Sequence, residues 1–91
     1  MKIEQVHVYY SGMVQGVGFR YQVKNIAANF PLTGWVKNLP NGSVELIAEA
    51  SKKTLLDFLK NIDATLNQYI RDKQVSWDKA ENNFKCFEIN F

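Results

Sequence analysis

Arg20 closes the run Gly12-Met13-Val14-Gln15-Gly16-Val17-Gly18-Phe19-Arg20. Gly16 and Gly18 allow positive φ, so successive backbone N–H groups of the loop from Val14 to Phe19 can turn toward one point and surround an anion. If a helix starts at about Phe19 or Arg20, its unpaired first amides and its dipole add positive potential at the same place. Arg20 then supplies a planar fork able to bind two phosphate oxygens at once. A second run, Gly34-Trp35-Val36-Lys37-Asn38, ends on a carboxamide whose carbonyl can accept from water and whose NH2 can donate to an oxyanion. The chemistry these residues suit is the binding of phosphate and the holding of water. Each run also has a plainly structural reading: glycine turns join strands to helices in many proteins, and Asn at a strand end is by default a turn-former. The loop fits neither a P-loop, which needs Gly-Lys-Ser/Thr, nor a dinucleotide-binding Gly-x-Gly-x-x-Gly. What favours an anion is Arg20, which the helical spacing puts at the helix edge near the loop mouth.

The elements that must position these residues follow from periodicity. Val6, Val8 and Tyr10 alternate with His7, Tyr9 and Ser11, a strand running to about Met13. Phe19, Val23, Ile26, Ala27 and Phe30 share one helical face, and Pro31 stops that helix. Leu32 to Lys37 forms a second strand. Leu39-Pro40-Asn41-Gly42 reverses the chain, with Asn41 and Gly42 both suited to positive φ, and Ser43 to Glu49 forms a third strand. Ser51 caps a second helix whose buried stripe is Leu55, Leu59, Ile62, Leu66 and Tyr69. Toward the end, Gln74 to Trp77 reads as a short strand, Asp78 to Asn83 as a polar connection, and Phe87, Ile89 and Phe91 as one face of a closing strand. This order predicts an α+β, ferredoxin-like (split βαβ) sandwich, with two helices on one face of an antiparallel-rich four- to five-stranded sheet. In such a fold Asn38 approaches the loop that holds Arg20.

At 91 residues the chain is expected to form a single domain over positions 1 to 91. A hydrophobic content of 46 %, with 22 % charged residues, is that of an ordinary globular protein without disordered tracts. The formal charge of +2 is too small to imply a nucleic-acid surface and suits a small anion better. Lys52 and Lys53 read as a solvated face at a helix start. The N-terminal segment fits neither a secretory signal nor a membrane span, so the expected location is the cytoplasm, with no membrane partner. Cys86, the one cysteine, reads as a packed or partly exposed strand residue, and His7, the one histidine, as structural. There is no Ser-His-Asp set, no zinc-ligand cluster, and no acidic pair beside the glycine loop to hold magnesium. No metal and no cofactor are expected.

Val14-Gln15-Gly16-Val17-Gly18-Phe19-Arg20 and Gly34-Trp35-Val36-Lys37-Asn38, followed by Gly42-Ser43-Val44-Glu45, resemble the two signature segments of the acylphosphatase family. The resemblance covers about the first half of the chain. It implies hydrolysis of the carboxyl–phosphate bond of a small acyl phosphate to a carboxylate and inorganic phosphate, without a metal. It further implies that Arg20 binds the phosphoryl group, that amides from Gln15, Gly16, Val17, Gly18 and Phe19 complete the cradle, and that Asn38 positions the attacking water. The sequence departs from common family patterns at Met13, where many members carry Arg, at Leu39, where a hydroxyl residue often follows the Asn, and at Ala50, where Gly is frequent. The expected state is a monomer, although exposed strand edges leave a weak dimer open. The competing reading is a non-enzymatic ferredoxin-like module, either a regulatory domain that senses a phosphorylated small molecule or an RNA-binding domain with Tyr9 as a stacking platform, against the latter of which stand Glu45 and Glu49 on the third strand.

Overall fold

The computed structural model describes residues 2–91. Its elements run β1 (Ile3–Gly12), α1 (Phe19–Ala27), β2 (Thr33–Asn38), β3 (Val44–Ser51), α2 (Lys52–Leu66), β4 (Ile70–Lys79) and β5 (Phe87–Asn90). The five strands form one sheet in the order β4-β1-β3-β2-β5, antiparallel throughout except for the parallel β2–β5 pair. This is the expected ferredoxin-like sandwich with a fifth strand at one edge.

Strand alternation explains the layering. Val6, Val8 and Tyr10 of β1, Val36 of β2, and Leu46, Ala48 and Ala50 of β3 are all buried. They meet Phe19, Val23 and Ala27 of α1 and Leu55, Phe58, Leu59, Ile62 and Leu66 of α2 in one core. Tyr9, on the other face, is exposed, and its ring lies 4.7 Å from that of His7. His7 in turn hydrogen-bonds the Glu45 carboxylate at 2.7 Å, which fits its expected structural role. That open face is therefore centred on an acid, a poor surface for RNA.

Several boundaries differ from expectation, each for a physical reason. Helix α1 ends at Ala27, well before Pro31, because the chain tightens there: Asn29 N donates to Ile26 O and Phe30 N to Ala27 O, both i to i−3. In the β2–β3 turn only Gly42 takes positive φ; Asn41 instead accepts from Ser43 N through its side chain at 3.0 Å. Ser51 caps α2 as expected, accepting from Thr54 N at 3.2 Å. Tyr69 lies beyond the end of α2, although it packs against the core. Strand β4 is ten residues long: it starts at Ile70, before the expected Gln74, and takes only Asp78 and Lys79 of the expected polar connection. Cys86 is exposed and precedes β5. Phe91 is not part of a buried face: β5 pairs with β2 only to Lys37↔Asn90, and the chain then leaves the sheet.

Candidate functional site

Strands β1 and β2 both run antiparallel to β3, so their C-terminal ends lie at the same edge of the sheet. The register makes this concrete, since Tyr10 and Asn38 are both opposite Val44, one on each side. The glycine loop leaves the end of β1 and Asn38 closes β2. Topology alone thus brings the two sequence runs side by side.

A specific strut holds them there. The side-chain Nε2 of Gln15 donates to Leu39 O and to Ser43 O, each at 2.8 Å, tying the glycine loop to the β2–β3 turn. Within the loop, Gly16 and Gly18 have φ of 78° and 77°, a left-handed conformation that glycine adopts without strain. Gly18 is also the N-cap of α1 and provides no side-chain cap. The first turn of α1 contains no acidic residue and does contain Arg20. A helix N-terminus already carries partial positive charge, so a guanidinium in its first turn creates a potential that only an anion can offset.

Gly16, Gly18, Phe19, Arg20 and Asn38 share one cleft of about 100 Å³, with Val14 and Tyr21 completing its lining. Arg20 is half-buried, as its place at the helix edge demands. Its Nη1 donates to Asn90 O at 3.3 Å, and its guanidinium carbon lies 4.8 Å from the centre of the Phe91 ring. The guanidinium has no carboxylate partner among the described salt bridges. In the same lining, Asn38 Oδ1 is buried and has no hydrogen-bond partner within the protein. An acceptor buried in that way destabilises the fold by about 1–3 kcal/mol unless something donates to it, which is the expected signature of a group that serves a bound water. A larger concavity of about 600 Å³ lies at the other end of β1, around Lys2, Trp77 and Lys79, and shares no lining residue with the cleft.

Two of the expected loop residues play other parts at the level of their side chains. Gln15 is the strut, and Val17 packs against the core, so neither side chain lines the cleft. Sequence reasoning overlooked Tyr21, Asn90 and Phe91. Tyr21 had a signal, being an aromatic residue directly after Arg20 at a helix start. Asn90 and Phe91 had none, because their contact with Arg20 spans about 70 positions and is created by the parallel docking of β5.

Fold and cleft together define a small α+β sandwich with a candidate anion cradle at the junction of its first strand and first helix. The sequence model of the acylphosphatase family matches residues 6–89. A protein of Methanospirillum hungatei named acylphosphatase is 42% identical over 79 residues, covering 87% of each chain. One of Trichormus variabilis with the same name is 45% identical over 86 residues, 93% of this chain and 84% of its own. The crystal structure of acylphosphatase from Bacillus subtilis matches with a TM-score of 0.88 at 32% identity, over 97% of this chain and 99% of that one. The chain belongs to the acylphosphatase family.

Proposed function

We propose that the protein hydrolyses small acyl phosphates to a carboxylate and inorganic phosphate without a metal. Arg20 and the amides of the loop from Gln15 to Phe19 bind the phosphoryl oxygens, and Asn38 orients the attacking water. The water oxygen bonds to phosphorus as the phosphorus–oxygen bond to the acyl group breaks, and the carboxylate departs with the bonding pair. A carboxylate is a good leaving group, so no general acid is required. With a loose transition state, catalysis reduces to fixing the oxygens and aligning the water. Asn38 is too weakly basic to take the proton, which passes to a phosphate oxygen or to bulk water.

The observation that carries this reading is the buried, unpartnered Oδ1 of Asn38 in the same cleft as a guanidinium with no acidic partner. Losing one preorganised donor to a developing anion lowers the rate about a hundred- to a thousandfold, and Arg20→Gln is expected to do at least that. The test is hydrolysis of benzoyl phosphate in the presence of EDTA, with a simple phosphate monoester as control and circular dichroism to verify folding. Wild-type activity in a folded Arg20→Gln protein would sink the cradle.

We further propose that residues 1–91 act as one domain, as a cytoplasmic monomer. Support comes from the single shared core, and from the β4 edge, where Arg71, Asp72, Lys73, Asp78 and Lys79 discourage pairing between copies. Among the described residues no helix is long and apolar enough to cross a membrane. Light scattering across a concentration series tests the monomer.

A further inference from the structure

Phe91 is 91% exposed, and its ring lies beside the guanidinium of Arg20, whose carbon is 4.8 Å from the ring centre. Tyr21, 58% exposed, lines the same cleft. The position of Phe91 follows from the sheet: pairing of β5 with β2 stops at Lys37↔Asn90, one step before the level of Asn38, and the next residue stands beside Arg20 instead of in the core. Asn90 O takes only one N–H direction of Arg20. The remaining in-plane N–H groups of the fork stay available to phosphoryl oxygens. A phosphoryl group held by Arg20 would therefore have the Phe91 ring on one side of its guanidinium ligand and Tyr21 in the lining of its cleft. Apolar ring surface kept in water gains free energy when a flat apolar group covers it, and a methyl group covers little of it.

We infer that Phe91, together with Tyr21, packs against the acyl group of the substrate and selects acyl phosphates with flat apolar tails over acetyl phosphate. This inference rests on the phosphoryl-binding role proposed for Arg20.

The test needs no turnover. Dissociation constants of the non-hydrolysable acetylphosphonate and benzoylphosphonate are measured by titration calorimetry for the wild type and for Phe91→Ala, Phe91→Tyr and Tyr21→Ala. The wild type is expected to bind benzoylphosphonate about three- to tenfold more tightly, the range a ring–ring contact supplies. Phe91→Ala should bring that ratio to within about twofold of one, Tyr21→Ala should lower it in part, and Phe91→Tyr should retain it. An unchanged ratio in Phe91→Ala overturns the inference. So does an equal weakening of both phosphonates and of inorganic phosphate, which would show the ring acting only through Arg20, and so does failure of both phosphonates to bind. Hydrolysis of benzoyl phosphate by the same wild-type sample separates the two proposals: the expected preference without turnover removes the hydrolase reading alone, and turnover without preference removes this one alone.

Discussion

Asn38 and Arg20 act through atoms that the rest of the protein leaves free. Asn38 Oδ1 is buried without a partner, and Arg20 spends one N–H on Asn90 O while facing no carboxylate. The two residues are expected to respond differently when altered, because one is assigned to water and the other to phosphate. Asn38→Ala should lower kcat by about a hundredfold, in line with loss of a single preorganised contact. Competitive inhibition by inorganic phosphate should change by less than about threefold, since the phosphate ligands remain. Parallel loss of kcat and of phosphate inhibition would reassign Asn38 to phosphate binding.

At the scale of elements, the site depends on close strand packing. Gly34 in β2 has φ of 141°, and a Cβ added there would lie 1.9 Å from Ile47 O of the neighbouring strand. No side chain yields in that contact, only backbone. Gly34→Ala is therefore expected to destabilise the protein by about 3 kcal/mol or more, read as a lowered urea midpoint. Because β2 carries Asn38 to the cleft, residual folded protein should also show reduced kcat. The strands differ in how openly the sequence announced them. β1 and β3 turn alternate residues into the core, Val6, Val8 and Tyr10 on one and Val44, Leu46, Ala48 and Ala50 on the other, while their opposite face is less apolar, with Gln5 and Glu49 buried there. β4 lies beyond the helices at the sheet edge with nearly every residue exposed, and a strand open on both faces has no need to alternate. That is why only Gln74 to Trp77 read as strand.

At the scale of the whole molecule, Tyr10 shows what the core tolerates. Its ring packs 5.4 Å from that of Phe19, and its hydroxyl is buried with no partner. Burial first, and the charge of Asp63 second, hold the hydroxyl pKa above the usual tyrosine value. The folded state therefore keeps a proton that the unfolded chain gives up above about pH 10, so the stability this group contributes is complete below about pH 10 and is lost as the pH rises beyond it. Tyr10→Phe should remove that alkaline decline and, by eliminating an unsatisfied hydroxyl, raise stability near neutral pH by about 1 kcal/mol. Urea unfolding of both proteins at about pH 7 and about pH 11 checks both effects. A variant less stable at neutral pH would mean that the hydroxyl has a stabilising role.

By itself the sequence determined the local pieces: period-two strands, two amphipathic helices, the Ser51 cap, and the glycine loop ending in Arg20. Each of these is a matter of neighbours within a few positions, where propensity and φ restrictions act directly. Tertiary structure alone decided that Gln15 reaches Leu39 and Ser43, that Asn38 Oδ1 is left buried and unpaired, and that Asn90 and Phe91 meet Arg20. Those contacts join segments from separate parts of the chain and come into being only when the sheet order β4-β1-β3-β2-β5 sets which strand ends lie together.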